Sequence, residues 1–548
     1  MALANYIVFL QISQVRMTSY MPFARVKYNP CEHILRGSHW VLLDQTTTTF
    51  LRGDLRITLG FTRSDDNHVS AGGFALYCFT MFPRQILVFA ALGLCFALVA
   101  GATQVSGVKR WELRRRFSFE DSFYHPPSGW ESASPGEVLA SRKVDVSPAS
   151  IFNLGINAYQ LLYRTTGLTD GEATTSVTTV LVPYNYDKDK VMVAALYEDS
   201  FSSECAPSKQ LKSGHFISQN VAVAYQSLFL TTLLHEGWVV TVPDHEGPQN
   251  AFGAGPLEGH TILDAVRATI NYDRIGLDSN AKVTGYGYSG GAMALGWAAS
   301  LHKSYASELN VVGWAMGGTV TRMADWLRYI DGTGGAGFAV AALGGISSVD
   351  NDLQWVQDNL TLLGKIVLEK SKHSCMYKNL LEEAYKRFIS DTYFQGGSTF
   401  FENSDAMYAL NKYNLGADGS KVPSAPVFMF HARNDIVVPY AMAQATARSW
   451  CQQGAQIRFT TYAGVEMGHT SAGIASLPDV LHFLRDRFNG KQWGETCQYP
   501  VLLDPWFNLF NLGESYAEFV QQLLDLLGRR IGKDDHILMA KLKKQEVP

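Results

Sequence analysis

The stretch that constrains this chain most is Lys282–Tyr288, which runs without a break into Ser289-Gly290-Gly291-Ala292-Met293-Ala294-Leu295. The first half is short, apolar and partly aromatic, as a buried strand requires, and the second half is small and Ala-rich, as a helix start requires. A serine at that junction, within Gly287-Tyr288-Ser289-Gly290-Gly291, matches a sharp strand-to-helix turn that holds the serine Oγ above a sheet. Glycines flank it because a Cβ there would collide with neighbouring backbone. The turn therefore demands a sheet of mostly parallel strands covered by helices on both faces.

The rest of the chain supplies that setting. Ala158–Thr165 and Thr175–Val182 are rich in β-branched and aromatic residues and read as an opening antiparallel pair. Val191–Tyr197 and Trp238–Val242 read as buried strands, and Gly259–Tyr272 as a helix with Ile262, Val266 and Ile270 on one face. From about residue 320 to 415 the alternation stops. Val320–Ile330, Leu353–Glu369 and Tyr377–Ile389 are helical in character, which suggests a helical cap inserted into the core. Strands return at Val427–His431 and Ile457–Tyr462, and Leu477–Phe488 closes the pattern as an amphipathic helix. The fold class expected is α/β: residues 111–319 and 416–499 form the two parts of the core, 320–415 the cap, and 500–548 a tail or flap with apolar residues at helical spacing.

The front of the chain is treated apart. Residues 1–80 lack sustained periodicity and read as a non-structural leader, an upstream extension of the gene. Residues 81–102 then read as a secretory signal: Met81-Phe-Pro-Arg84, the apolar run Ile86–Val99, and Ala100-Gly101-Ala102 at the cleavage positions. A membrane signal-anchor is the minor alternative. Export leaves Cys205, Cys375, Cys451 and Cys497 in the mature chain, enough for two disulfides in any of three connectivities. No CxxC pair suggests zinc, and no dense Lys/Arg stripe suggests nucleic acid; the formal net charge over 548 residues is −4. Asn359-Leu360-Thr361 is a glycosylation sequon.

A serine hydroxyl needs a base, and the base needs an acid that sets its tautomer. In chains with this turn the order is Ser, then Asp or Glu, then His. Asp435 lies in the loop after the strand Val427–Phe430, and His469 in the loop after Ile457–Tyr462. His431 comes too early in this order and His482 falls inside a helix, so both read as structural. Asp435 as a simple turn-former is the bland alternative. For the tetrahedral oxyanion the expected N–H donors are Gly290, next to the nucleophile, and Asp199, in the loop after Val191–Leu196.

With these residues in view, the chain resembles the fungal secretory lipases of lipase A type. The likeness rests on Tyr197-Glu-Asp199 followed by Cys205-Ala-Pro-Ser208, on Pro243-Asp-His-Glu-Gly247, on Gly287-Tyr-Ser-Gly-Gly291 with Ala292-Met293-Ala294, and on Gly468-His469; it spans roughly residues 120–500. It implies an α/β-hydrolase with a helical cap, no metal and no cofactor. It also implies Asp199 and Gly290 as oxyanion donors and the pairs Cys205–Cys375 and Cys451–Cys497. The expectation is a secreted serine hydrolase of carboxylic esters, working through an acyl-enzyme on a small-molecule or lipid ester. Transient contact with a lipid interface and a monomeric state are expected with it. An esterase that deacetylates one small metabolite is the alternative. A silent binding protein on the same scaffold is disfavoured, because all three triad members occur in order.

Overall fold

The computed structural model describes residues 47–52, 55–60 and 121–503, apart from 148–154, 213–220, 418, 420, 465 and 466. The apolar run Ile86–Val99 and the tail beyond Leu503 lie outside the described residues. The chain divides into Met1–Leu92 and Gly93–Pro548. In the first unit, β1 (Thr47–Arg52) and β2 (Leu55–Gly60) pair as an antiparallel hairpin. This hairpin falls within residues 1–80, and Gly53-Asp54 between two Thr- and Leu-rich runs is its local signal in the sequence.

The second unit is built on an 11-stranded sheet. Its strands are β3 (Val138–Val144), β4 (Asn157–Thr166), β5 (Ala173–Val182), β6 (Lys190–Ala195), β7 (Val239–Pro243), β8 (Lys282–Tyr288), β9 (Val311–Gly317), β10 (Val427–Ala432), β11 (Ile457–Tyr462), β12 (Cys497–Gln498) and β13 (Val501–Leu502). Their spatial order is β12-β11-β10-β9-β8-β6-β7-β5-β4-β3, with β13 also beside β11. The pairs β3–β4, β4–β5 and β5–β7 are antiparallel and all others parallel. Alternate residues of β6 enter opposite cores: Val191, Val193 and Ala195 pack with Ile262, Val266 and Leu295, whereas Met192, Ala194 and Leu196 pack with Leu230, Leu233 and Val240. A strand buried on both faces reads as an unbroken apolar run for this reason. Each such side chain contributes about 1.5–3 kcal/mol of burial before conformational entropy is counted.

Between β9 and β10 the chain is helical, with helices at Met323–Ile330, Ala336–Ser347, Leu362–Ser371, Met376–Glu383 and Ser404–Asn411. The expected helix Leu353–Glu369 is broken at Asn359–Thr361, where the Thr361 hydroxyl caps a new helix by accepting from Gly364 N. Tyr377–Ile389 likewise stops at Glu383. The helix Ala336–Ser347 lies within the stretch expected to be a helical cap but was not among the helices named there. Its glycines serve close packing: a Cβ on Gly345 would sit 2.6 Å from Phe252 N, and one on Gly337 2.6 Å from Asn379 O. Asn359 of the sequon is half-buried, and its Nδ2 donates to Trp355 O at 2.8 Å. Disulfides join Cys205 to Cys375 and Cys451 to Cys497, the pairs that the family resemblance implied. Among the described residues no helix is long and apolar enough to cross a membrane.

The strand order places the chemistry. From β6 the chain steps one way to β7 and then returns to the other side for β8, and it is outside the carboxyl edge at such a reversal that open α/β sheets carry their ligand crevice. Ala195 pairs with Gly287, Tyr288 with Gly317, Gly317 with Phe430, and Phe430 with Thr460. The ends of β6, β8, β9, β10 and β11 therefore stand in one row.

Candidate active site

Ser289 sits between β8 and the helix Gly290–Tyr305 with φ 55° and ψ −124°, a left-handed conformation that side chains other than glycine adopt at a cost. The glycines around it are fixed by contact. A Cβ on Gly291 would run into Ala195 O, and one on Gly290 into the Asp199 carboxyl. The serine is 7% exposed, so its hydroxyl lies inside the crevice rather than on the surface.

Its partner is His469, the first residue of the short helix His469–Ala475 rather than a loop residue as the sequence suggested. Ser289 Oγ and His469 Nε2 are 2.9 Å apart, and His469 Nδ1 lies 2.7 Å from Asp435 Oδ2. The carboxylate only accepts, so Nδ1 carries the hydrogen and Nε2 is left as the acceptor for the serine proton. Asp435 is anchored by Val437 N and Val438 N, both 2.8 Å from Oδ1. Burial alone would push its carboxyl up. The imidazole of His469 facing it and hydrogen bonds from His431 and His469 outweigh this, and hold it well below the usual carboxylate range. By linkage, a carboxyl lowered in this way adds stability above its unfolded value that is lost only as the pH falls through its lowered folded value. Asp435 therefore stays ionised throughout mildly acidic conditions.

His431, which the sequence analysis read as structural, is fully buried, gives Nε2–H to Val438 O at 3.0 Å, and stands 3.3 Å from Asp435 Oδ2; the neighbours from the cap left no sign in the sequence. From the cap, Trp326 Nε1 donates to Val437 O at 3.0 Å, and Tyr329 OH reaches Asp435 O at 3.4 Å. His482 stands apart, on the exterior of the last helix with Asp486. Gly318 has φ 59°, and a Cβ on it would lie 2.8 Å from His469 Cε1. We expect Gly318→Ala to displace the imidazole and lower kcat by about 100-fold, the scale of a 1 Å misplacement, with little change in KM. Steady-state kinetics beside a melting curve check this.

Gly290 N opens its helix, where the first N–H groups have no intrahelical partner. Asp199, across from it, is buried and held at φ 46° in the loop after β6. Burial pushes its carboxyl up to about 7, so it stands beside the site without a full charge at neutral pH. As candidates for a cation, Glu198, His245 and Glu246 are the one group of the described residues whose ligand atoms lie within 4.8 Å of one another. All three already take part in hydrogen bonds between two loops.

Comparison with known proteins follows this geometry. The secretory lipase family model matches residues 213–496, a span that includes Ser289, Asp435 and His469. A Malassezia globosa protein named secreted triacylglycerol lipase LIP7 is 98% identical over 468 residues, 85% of this chain and all of that protein. Secreted triacylglycerol lipase LIP2 of Malassezia furfur is 52% identical over the same shares. Among solved structures, Candida antarctica lipase A in its closed state superposes with a TM-score of 0.66 at 30% identity, covering 75% of this chain and 94% of that one. With this turn, this sheet and these relatives, the chain belongs to the secretory lipase family and is a secreted α/β-hydrolase that cleaves carboxylic esters.

Proposed function

We propose that the chain hydrolyses triacylglycerols, with Ser289 as nucleophile, His469 as general base and then general acid, Asp435 as the acid that orients it, and the N–H groups of Gly290 and Asp199 as oxyanion donors. The observation that carries this reading is the continuous chain from Ser289 Oγ through His469 to Asp435, at 2.9 and 2.7 Å. In the first step His469 takes the serine proton as Oγ attacks the ester carbonyl, then returns it to the leaving alcohol. In the second, His469 takes a proton from water, which attacks the acyl-enzyme, and the fatty acid leaves as Ser289 regains its proton. The relatives named as triacylglycerol lipases support this substrate class.

Contact with a lipid surface as a monomer belongs to the same proposal. The cap keeps large apolar side chains in solvent, among them Leu362 at 78%, Leu381 at 83% and Tyr385 at 74%, while Ile436 beside Asp435 is 76% exposed. Such residues partition into an apolar phase. Replacing Leu362 and Leu381 by serine together is expected to lower hydrolysis of an emulsion about tenfold, from roughly 25 cal/mol per Å² of apolar area withdrawn. A dissolved short-chain ester should be cut at less than a twofold lower rate. The deciding experiment is an ester series from acetyl to long acyl, including emulsified triacylglycerol, with Ser289→Ala protein as the blank. A serine-dependent rate that rises with chain length supports the proposal. A preference for acetyl esters would overturn it in favour of a small-molecule esterase.

A further inference from the structure

Behind the proposed oxyanion loop lies a set of buried carboxyls for which the two-step reaction has no use. Glu198 and Asp199 follow β6, Asp244 and Glu246 follow β7, and Glu258 lies in the first turn of the helix Gly255–Ile270; all are buried. Glu198 ties the β6 loop to the β7 loop: its Oε1 faces Glu246 N at 3.5 Å, and ligand atoms of the Glu198 and Glu246 carboxyls lie within 4.8 Å of each other. Asn250 Nδ2 bridges them, 3.3 Å from Glu198 Oε2 and 3.4 Å from Glu246 Oε2, and His245 Nε2 donates to Leu196 O at 2.9 Å. The chain leading into the strained Asp199 is thus held to the β7 loop through Leu196 and Glu198.

Among the described residues the clamp shows no counter-charge. The charged neighbours that act most on Glu198, Glu246 and Glu258 are Asp199, Asp244 and one another. Burial pushes His245 down to about 4, so it brings no positive charge at neutral pH. Lys209 acts on Asp244, which is held by Ser208 N at 2.7 Å. From the cap side, Tyr377 faces Asp199 and Tyr413 faces Glu258, both as neutral phenols. Several carboxylates out of water without a cation are far less favourable than the same groups carrying protons. Burial first, then these neighbours, push Glu198 and Glu246 well above the usual carboxylate range.

We infer that Glu198 and Glu246 act as positioning residues in their protonated, uncharged forms, and that loss of those protons loosens the loop carrying Asp199 and sets an alkaline limit to ester hydrolysis. This rests on the reading of Asp199 N–H as an oxyanion donor. Linkage gives the sign for stability. Above their unfolded values these carboxyls hold more protons folded than unfolded, so stability falls as pH rises, by up to about tenfold in the folding constant per group and pH unit, until the folded state also ionises.

The test uses the full secreted protein with Glu198→Gln, Glu246→Gln and the double variant, since an amide keeps the shape and cannot ionise. We expect kcat on a dissolved ester to stay within about threefold of wild type below pH 7. Its alkaline limb should move up by a pH unit or more, and the wild-type decline of Tm between pH 5 and 8 should flatten in the glutamine variants. Glu246→Ala should lose about 100-fold in kcat with KM nearly kept, the scale of one misplaced oxyanion donor. An unmoved limb, glutamine variants as inactive as the alanine variant, or a stoichiometric divalent metal in the purified protein would overturn the inference. Should the variants not fold, a wild-type Tm that does not decline over that range overturns it alone. Ser289-dependent hydrolysis with an unmoved limb sinks this inference and leaves the proposed lipase reading intact.

Discussion

Ser289→Ala protein is expected to fold as the parent does and to lose roughly 10⁴- to 10⁶-fold in kcat, the scale seen when the nucleophile of such a triad is removed. The substitution deletes one oxygen. Alanine has the same Cβ, so the backbone at φ 55° is asked for nothing new, and the flanking glycines still accept the tight packing of the turn. What disappears is the hydroxyl 2.9 Å from His469 Nε2, and with it the acyl-enzyme. KM for a dissolved ester should change little, and the melting temperature should stay within a few degrees. Turnover above one per cent of wild type, measured with protein free of parent enzyme, would remove Ser289 from the mechanism.

Asp435→Asn is expected to cost about 10⁴-fold in kcat through the tautomer of His469. The asparagine oxygen would remain where Val437 N and Val438 N converge, each at 2.8 Å, because those amides need an acceptor. Its NH₂ would then face His469 Nδ1 from the place of Oδ2, turning that nitrogen into an acceptor and leaving the hydrogen on Nε2. A protonated Nε2 cannot take the serine proton. The same NH₂ would also meet Nε2–H of His431, 3.3 Å from Oδ2. Stability should fall as well as rate, and kinetics with a melting curve measures both. A loss below tenfold would show that His469 does not depend on this carboxyl.

Much of the molecule was legible because its chemistry is local. β6, β7 and β10 are largely apolar runs of strand length, and the serine turn carries its own glycines. Candidates for acid and base could be chosen because each ends a strand of one sheet. Two elements were not named from the sequence. β9 carries Gly313 and Gly317, where the Arg487 side chain and the Phe430 ring press on the bare backbone, so its apolar pattern is interrupted. The helix Ala336–Ser347 is likewise interrupted by glycines that serve close packing. Contacts across long separations left no local mark at all. Nothing in the chain announces that Trp326 supports Val437, or that Asn250 stands between Glu198 and Glu246, since neither partner's type or spacing requires the other.

The Cys205–Cys375 bridge fastens the start of the cap helix Met376–Glu383 to the segment just beyond Asp199. In the chain-entropy account a closed loop of 170 residues removes on the order of 5 kcal/mol from the unfolded state. Its placement matters more than its size. Beside it, the described residues link these two segments by a hydrogen bond from Ser200 Oγ to Ser374 O, 3.0 Å long, and by the Lys372 ammonium 5.6 Å from the centre of the Phe201 ring. Such a bridge persists only in oxidising surroundings. A secreted chain meets such surroundings on its export route, so the cap gains its covalent tie to the Asp199 segment there rather than at synthesis.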